Sequence, residues 1–170
     1  MRPEGGLRVL AHHAVAQHAV DLRAVVYSKF VFLAMGNSTL LRSSNGTTWS
    51  AVTVPNLPAG ARFMSLTNDG TQWLLLVNDS TQKPRVYISP DASAWTTAGS
   101  AFTVSLFDGG IASNGSLAAV AGSASAPSGG VVFTAPITAG FFASLGSWSS
   151  PQVVDAAGFG MRFIAHVNNL

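Results

Sequence analysis

Side chains that could perform acid–base chemistry are few in this chain of 170 residues. Hydrolysis of a glycosidic bond usually requires two carboxyl groups that flank the scissile bond. The only glutamate is Glu4, and four aspartates fall in segments predicted to be turns: Asp69, Asp79, Asp91 and Asp108. Because turn aspartates commonly accept hydrogen bonds from their own backbone, we expect no catalytic residues and no enzymatic activity.

Histidines provide the only other candidates for a reactive or metal-binding group. His12, His13 and His18 lie close together in the sequence, but neighbouring residues of a strand point to opposite faces, so at most two could meet at one ion. We expect them to be partly exposed, and we expect His166 to be a hydrogen-bonded core residue. The chain has no cysteine, which excludes disulfides and thiolate metal sites. We therefore predict no metal and no cofactor.

The composition indicates a protein that associates with others. Charged residues make up 9% of the chain, against roughly 25% in an ordinary soluble domain. The net charge is +2 and the basic residues are scattered, which argues against a nucleic-acid partner. No apolar run reaches the ~18 residues that could span a membrane, and residues 1–10 have no signal-peptide character. A surface with few charges is poorly protected from association, so we expect a subunit of an assembly.

A repeated pattern determines the predicted fold. Apolar strand-like segments begin at Phe30, Trp73, Leu117 and Phe163, which are 43, 44 and 46 residues apart. A period of about 40–50 residues with strand-like content is typical of β-propellers. We predict an all-β fold, a β-propeller-like array of about four four-stranded blades.

Each complete repeat divides into four predicted strands. They are Leu22–Tyr27, Phe30–Met35, Thr39–Ser43 and Trp49–Val54 in the first repeat; Arg62–Thr67, Trp73–Val77, Arg85–Ser89 and about Trp95–Ala98 in the second; and about Val104–Phe107, Leu117–Ala121, Val131–Thr134 and a segment near Trp148 in the third. A fourth repeat supplies Gln152–Ala156 and Met161–Val167 before the sequence ends.

The two ends of the chain complement each other. We divide the chain into an N-terminal arm (residues 1–21) and a repeat domain (22–170), with blades at about 22–60, 61–102 and 103–150 and a partial blade at 151–170. The arm contains two strand-like segments, Leu7–Ala11 and Ala14–Val20, and the partial blade lacks two strands. Pairing strands from both ends in one blade would close the ring and remove exposed edges. A helix over His12–Val26 is the alternative.

The turn between the third and fourth strands contains a fixed motif. A serine is followed two residues later by Asn or Asp and six residues later by Trp: Ser43, Asn45 and Trp49 in the first repeat, and Ser89, Asp91 and Trp95 in the second. The Asx side chain can hold a tight turn, Gly46 can adopt positive φ, and we expect both tryptophans to fold back over the sheet and be buried.

This motif resembles the Asp-box of sialidase-type propeller repeats, in the compact form found in phage tail and virion proteins. The strand Phe30–Gly36 resembles the one that precedes it there. Asn45 stands in place of Asp in the first copy, the second copy lacks the Gly, and in the third Thr134 and Trp148 are 14 residues apart. A sialidase site would also need three arginines and a tyrosine nucleophile, and Tyr27 and Tyr87 lie in repeat strands without that context.

The resemblance and the composition lead to one functional expectation and one alternative. We expect a non-enzymatic structural protein of a bacteriophage virion, made in the bacterial cytoplasm, whose partners are other virion subunits and further copies of itself. The expected contacts are Phe141 and Phe142 in the loop of the third repeat, and Phe159. The alternative is a carbohydrate- or receptor-binding propeller module whose aromatics stack on a host-surface glycan.

Overall fold

The computed structural model describes residues 21–126, 128–138 and 144–155. Within these residues the chain contains thirteen strands and no helix, which confirms the all-β prediction. The helix predicted as an alternative over His12–Val26 does not form from Leu22 onward, where the chain is a strand. Residues 12–20 of that segment, the strands expected at Leu7–Ala11 and Ala14–Val20, and the strand expected at Met161–Val167 lie outside the described residues. No helix able to cross a membrane occurs in the described part.

The strands form three antiparallel sheets that follow the repeats. Sheet 1 contains β1 (Leu22–Ser28), β2 (Val31–Gly36), β3 (Leu40–Ser43) and β4 (Ser50–Ala51). Sheet 2 contains β5 (Arg62–Asn68), β6 (Trp73–Asn78), β7 (Pro84–Ser89) and β8 (Thr96–Ala98). Sheet 3 contains β9 (Leu106–Ser113), β10 (Leu117–Ser125), β11 (Ser128–Thr138), β12 (Ser144–Leu145) and β13 (Gln152–Asp155). In sheets 1 and 2 each strand pairs with the next strand in the chain.

The first strand of each sheet carries one β-bulge at an equivalent position. The extra residue is Arg23 in β1, Met64 in β5 and Phe107 in β9. A bulge bends its strand and redirects a side chain, so these three residues mark one end of the first strands.

The middle sheet is buried on both faces. All six residues of β6 are buried; Trp73, Leu75 and Val77 pack in the core between sheets 1 and 2. Leu74 and Leu76 pack in the core between sheets 2 and 3. A strand covered on both sides must be apolar at consecutive positions, and this is the reason for the continuous run Trp73–Val77.

Sheet 3 departs from the predicted plan at its outer edge. The segment near Trp148 is not a strand, and Gln152–Asp155 pairs with β11 of sheet 3 instead of starting a fourth sheet. The eleven residues of β11 leave room for both β12 and β13 on one edge, and Ser149 N donates to Thr134 O (2.8 Å) between them. Trp148 is nevertheless buried, with its ring 4.7 Å from that of Phe102.

Hydrogen bonds at the hairpin turns join neighbouring sheets. Ser28 Oγ donates to Asn68 Oδ1 (2.8 Å) between sheets 1 and 2, and Ser113 Oγ donates to Asp69 Oδ2 (3.1 Å) between sheets 2 and 3. These turns therefore fix the position of each sheet relative to the next.

Candidate protein-contact surface

The Ser–Asx–Trp motif of the first repeat forms the turn between β3 and β4. Ser43 Oγ accepts from Gly46 N (2.9 Å), and Asn45 Oδ1 accepts from Thr47 N (2.9 Å) and Thr48 N (2.8 Å). Gly46 has φ +73°, as its place in the motif predicts. The serine and the asparagine thus hold the turn by bonds to backbone amides.

The motif of the second repeat holds its turn in the same way. Asp91 Oδ1 accepts from Ser93 N (2.8 Å) and Ala94 N (2.9 Å), and Ser89 Oγ donates to it (3.1 Å). The amides of Ala94 and Ser93 lower the pKa of Asp91 to about 2. Ala92 takes the left-handed conformation that Gly46 takes in the first repeat, with φ +65°. The motif residues are therefore structural in both turns.

The two motif tryptophans differ in burial. Trp95 is 3% exposed and lies in the core between sheets 1 and 2. Trp49 is only half-buried, so the expectation that both would be buried is wrong for Trp49. Trp49 lies beside Phe32, with ring centroids 6.3 Å apart, and its Nε1 donates to Gly46 O (3.2 Å).

This difference has a simple cause in the register of the sheets. Phe32 pairs with the motif serine Ser43, as Trp73 pairs with Ser89; Leu41 pairs with Ala34, as Tyr87 pairs with Leu75. Sheet 2 packs against sheet 1 through the face that contains Trp73 and Tyr87. The equivalent face of sheet 1, which contains Phe32 and Leu41, is its outer face, turned away from sheet 2. We call this outer face the β1 face and define it by Val25, Tyr27, Phe32, Leu41 and Trp49.

The β1 face is apolar and partly open to solvent. Val25 is 64% exposed and Tyr27 is 55% exposed, and the ring of Tyr27 lies 4.4 Å from that of Phe32. Large exposed apolar patches usually mark a contact with another protein or a ligand. The repeat thus places side chains of the kind that pack between sheets on an outer face that the described residues leave uncovered.

The hairpin between β1 and β2 adds an exposed aromatic residue in a strained conformation. Lys29 and Phe30 have φ of 50° and 60°, and Phe30 is 84% exposed. The sequence predicts Phe30 as the first residue of a strand, but the strand begins at Val31. The corresponding hairpins use Gly70 and Gly115 at positive φ. A bulky residue in this region is an outlier, and strained residues of this kind cluster at functional sites.

The remaining candidates for catalytic chemistry, Tyr87 and Asp69, make hydrogen bonds that belong to the fold. Tyr87 is buried, its hydroxyl donates to Asn56 O (2.9 Å), and desolvation raises its pKa. Burial alone would raise the pKa of Asp69, but hydrogen bonds from Thr71, Gln72 and Ser113 outweigh burial and lower it. Among the described residues, no group of three His, Cys, Asp or Glu side chains could hold a metal ion.

Three residues predicted to form contacts, Phe141, Phe142 and Phe159, lie outside the described residues, as do Glu4 and all four histidines. Sequence reasoning did not find the β1 face or the Lys29–Phe30 turn. A signal for the turn was present, because the other two hairpins contain Asn or Asp with Gly and this one does not. Comparisons with protein-family models and with curated proteins find no match to this chain.

Proposed function

We propose that this chain is a non-enzymatic structural protein of a bacteriophage virion, a component of the tail, baseplate or capsid surface that acts through protein–protein assembly. The observation that carries the proposal is the β1 face, which has the composition of a buried inter-sheet face and is partly exposed. An exposed surface of this kind is stable in an assembly, where a partner covers it.

The proposal also includes a specific arrangement of the three sheets. The three sheets are blades of a propeller-like array, and a fourth sheet, built in part by a neighbouring copy, covers the β1 face. The sequence predicts strands for that sheet at Leu7–Ala11, Ala14–Val20 and Met161–Val167. The strand Gln152–Asp155, which overlaps the one predicted for that sheet at Gln152–Ala156, belongs to sheet 3. We propose that a neighbouring copy contributes to the fourth sheet, so that incomplete rings complete one another.

The virion setting is supported by the resemblance of the Ser–Asx–Trp turns to the repeats of phage tail and virion proteins. Backbone amides of the two turns donate hydrogen bonds to the side chains of Ser43, Asn45, Ser89 and Asp91, and these bonds fit a role in folding. With only 9% charged residues, the chain has little electrostatic repulsion to oppose close packing of many copies. The proposed partners are other virion subunits and further copies of this chain, in a particle assembled in the bacterial cytoplasm.

Mass spectrometry of phage particles purified from a lysate of the producing bacterium tests this proposal. We expect peptides of the chain in stoichiometric amounts in the particle fraction, in several copies per particle. A chain found only in the soluble fraction of the lysate would contradict the virion assignment. Turnover of a glycoside by the purified protein would contradict the non-enzymatic part of the proposal.

A further inference from the structure

The hairpin between β1 and β2 presents the ring of Phe30 to solvent. Both residues of the turn, Lys29 and Phe30, have left-handed φ, and Phe30 is 84% exposed. The two residues before Phe30 tie the hairpin to sheet 2, because Ser28 Oγ donates to Asn68 Oδ1 (2.8 Å) and Lys29 Nζ donates to Thr71 O. A strained turn that is held in this way indicates a function for the residue that it exposes.

A groove of about 460 Å³ lies at one end of sheet 2. Its lining includes Ala98, which is half-buried, Ala101, which is exposed, and the buried side chain of Phe102. A cavity of about 150 Å³ already binds benzene. The groove therefore has room for a phenyl ring.

Phe30 and this groove lie at opposite ends of the sheets. The hairpin that contains Phe30 is bonded to the hairpin that precedes β6, whereas the groove includes Pro84, the first residue of β7, beyond the loop that follows β6. The six residues of β6 lie between these two ends, and they span about 20 Å at about 3.3 Å per residue. Phe30 therefore cannot enter the groove of its own chain, and only a second copy can bring the ring and the groove together.

The charged groups at the groove are complementary to the hairpin. The lining contains three charged residues: Asp79, Lys83 and Arg85. Lys83 Nζ donates to Thr103 O (3.2 Å), whereas Arg85 is exposed. A guanidinium group binds the face of an aromatic ring, and the carboxylate of Asp79 has the charge opposite to that of Lys29, the residue before Phe30. The groove thus provides an apolar lining and a cation for the ring, and an anion for the lysine.

We propose that copies of this chain stack head to tail, with Phe30 of one copy inserted into the groove of the next. Stacking rests on the proposed function: one inserted ring is a small contact, and it binds strongly only where several copies, already joined through the β1 face, insert their rings together. A contact between two different patches leaves a free ring and a free groove at the ends of every stack, so it can repeat. Stacking therefore lets the assembly grow along the direction of the strands.

Sedimentation velocity of the full chain over a range of concentrations tests the stacking. We expect wild-type complexes to grow as the concentration rises. Growth of Phe30→Asn complexes should require a concentration about tenfold higher or more, because the variant lacks the inserted ring. Ala101→Trp, which fills the groove from an exposed position, should have the same effect. The melting temperature of each variant shows that it is folded.

A mixture of the two variants distinguishes a head-to-tail contact from other contacts. Phe30→Asn keeps the groove and Ala101→Trp keeps the ring, so complexes of the two variants should pair when they are mixed and then grow no further. Phe107→Asn is the matched control, because it removes an exposed phenylalanine that does not line the groove. It should grow as the wild type does.

Three results would overturn the stacking and leave the assembly through the β1 face intact. The first is wild-type complexes that grow no further than those of Phe30→Asn. The second is a mixture of the two variants that does not pair, and the third is an equal loss of growth in Phe107→Asn. A wild-type chain that stays monomeric at every concentration would overturn the proposed function as well.

Discussion

The outer face of sheet 1 and the corresponding face of sheet 2 are built from equivalent positions but differ in burial. On sheet 2 that face contains Trp73, Tyr87 and Trp95, all buried under sheet 1. On sheet 1 the equivalent residues are Phe32, Leu41 and Trp49, all half-buried. The repeat thus specifies a face suited to packing, and the position of the sheet in the array decides whether the described residues cover it.

The comparison can be tested first with the two motif tryptophans. Trp95→Ala should destabilise the protein by about 3–5 kcal/mol, because it removes a large ring from a closed core. Trp49→Ala should cost about 1 kcal/mol, because a half-buried ring contributes less apolar burial. Urea unfolding of both variants measures the difference. Equal losses would show that Trp49 is as fully packed as Trp95 and that the β1 face is covered within one chain.

The hairpin between β1 and β2 has Phe30 at positive φ, where the other two hairpins use glycine. A substitution here is expected to raise the stability, whereas the tryptophan substitutions lower it. Phe30→Asn should stabilise the protein by about 1 kcal/mol, because a bulky residue in the left-handed region costs about 1–2 kcal/mol and Asn tolerates this region. Such a gain corresponds to a rise in melting temperature of about 2–4 °C for a chain of this size. Phe107→Asn is the matched control, since Phe107 is exposed without positive φ, and it should give no gain. A loss of stability in Phe30→Asn would mean that the ring packs on the protein.

The smallest expected effect distinguishes the two motif turns by pH. The pKa of Asp91 is about 2 in the folded protein, below its ordinary value of 3.8. Its stabilising contribution is therefore complete above pH 3.8 and is lost as the pH falls through 2. Because the turn is exposed, we expect this loss to be about 1 kcal/mol or less. The Asn45 turn has no carboxylate to titrate.

Thermal unfolding between pH 5 and 2 measures this effect. Asp91→Asn should reduce the loss of stability over this range, and Asn45→Asp should increase it. Some acid sensitivity should persist in Asp91→Asn, because hydrogen bonds also lower the pKa of Asp69 and Asp79. Identical pH profiles for wild type and Asp91→Asn would contradict the role assigned to this carboxylate.

Local sequence was sufficient to predict most of the strands. The apolar run Trp73–Val77 lies between an Asn-Asp-Gly turn and a polar loop, and the structure places β6 at Trp73–Asn78. Burial of the motif tryptophans could not be predicted, because the motif is the same for Trp49 and Trp95 and the difference depends on which sheet packs across each one. The outer edge of sheet 3 was also mispredicted. The eleven residues of β11 pair with two short strands, β12 and β13, on one edge, and this pairing depends on the length of β11 in the folded sheet.

The equivalence of the three β-bulges was also outside the reach of sequence reasoning. Arg23, Met64 and Phe107 have no chemical property in common, so their equivalence appears only in the register shifts of the three sheets. The hydrogen bond from Asn78 Nδ2 to Leu106 O likewise joins residues that are 28 positions apart in the sequence. Bulges and long-range hydrogen bonds depend on the packing of sheets against one another.

The most direct test of the central claim is the association state of the full chain measured by light scattering over a range of concentrations. The variant Val25→Lys places a charge on the β1 face, and Phe107→Lys places one on an equally exposed apolar residue elsewhere. We predict that the wild type and Phe107→Lys associate as concentration rises and that Val25→Lys stays monomeric. A wild-type chain that remains monomeric at every concentration would contradict the claim that copies of the chain assemble through the β1 face.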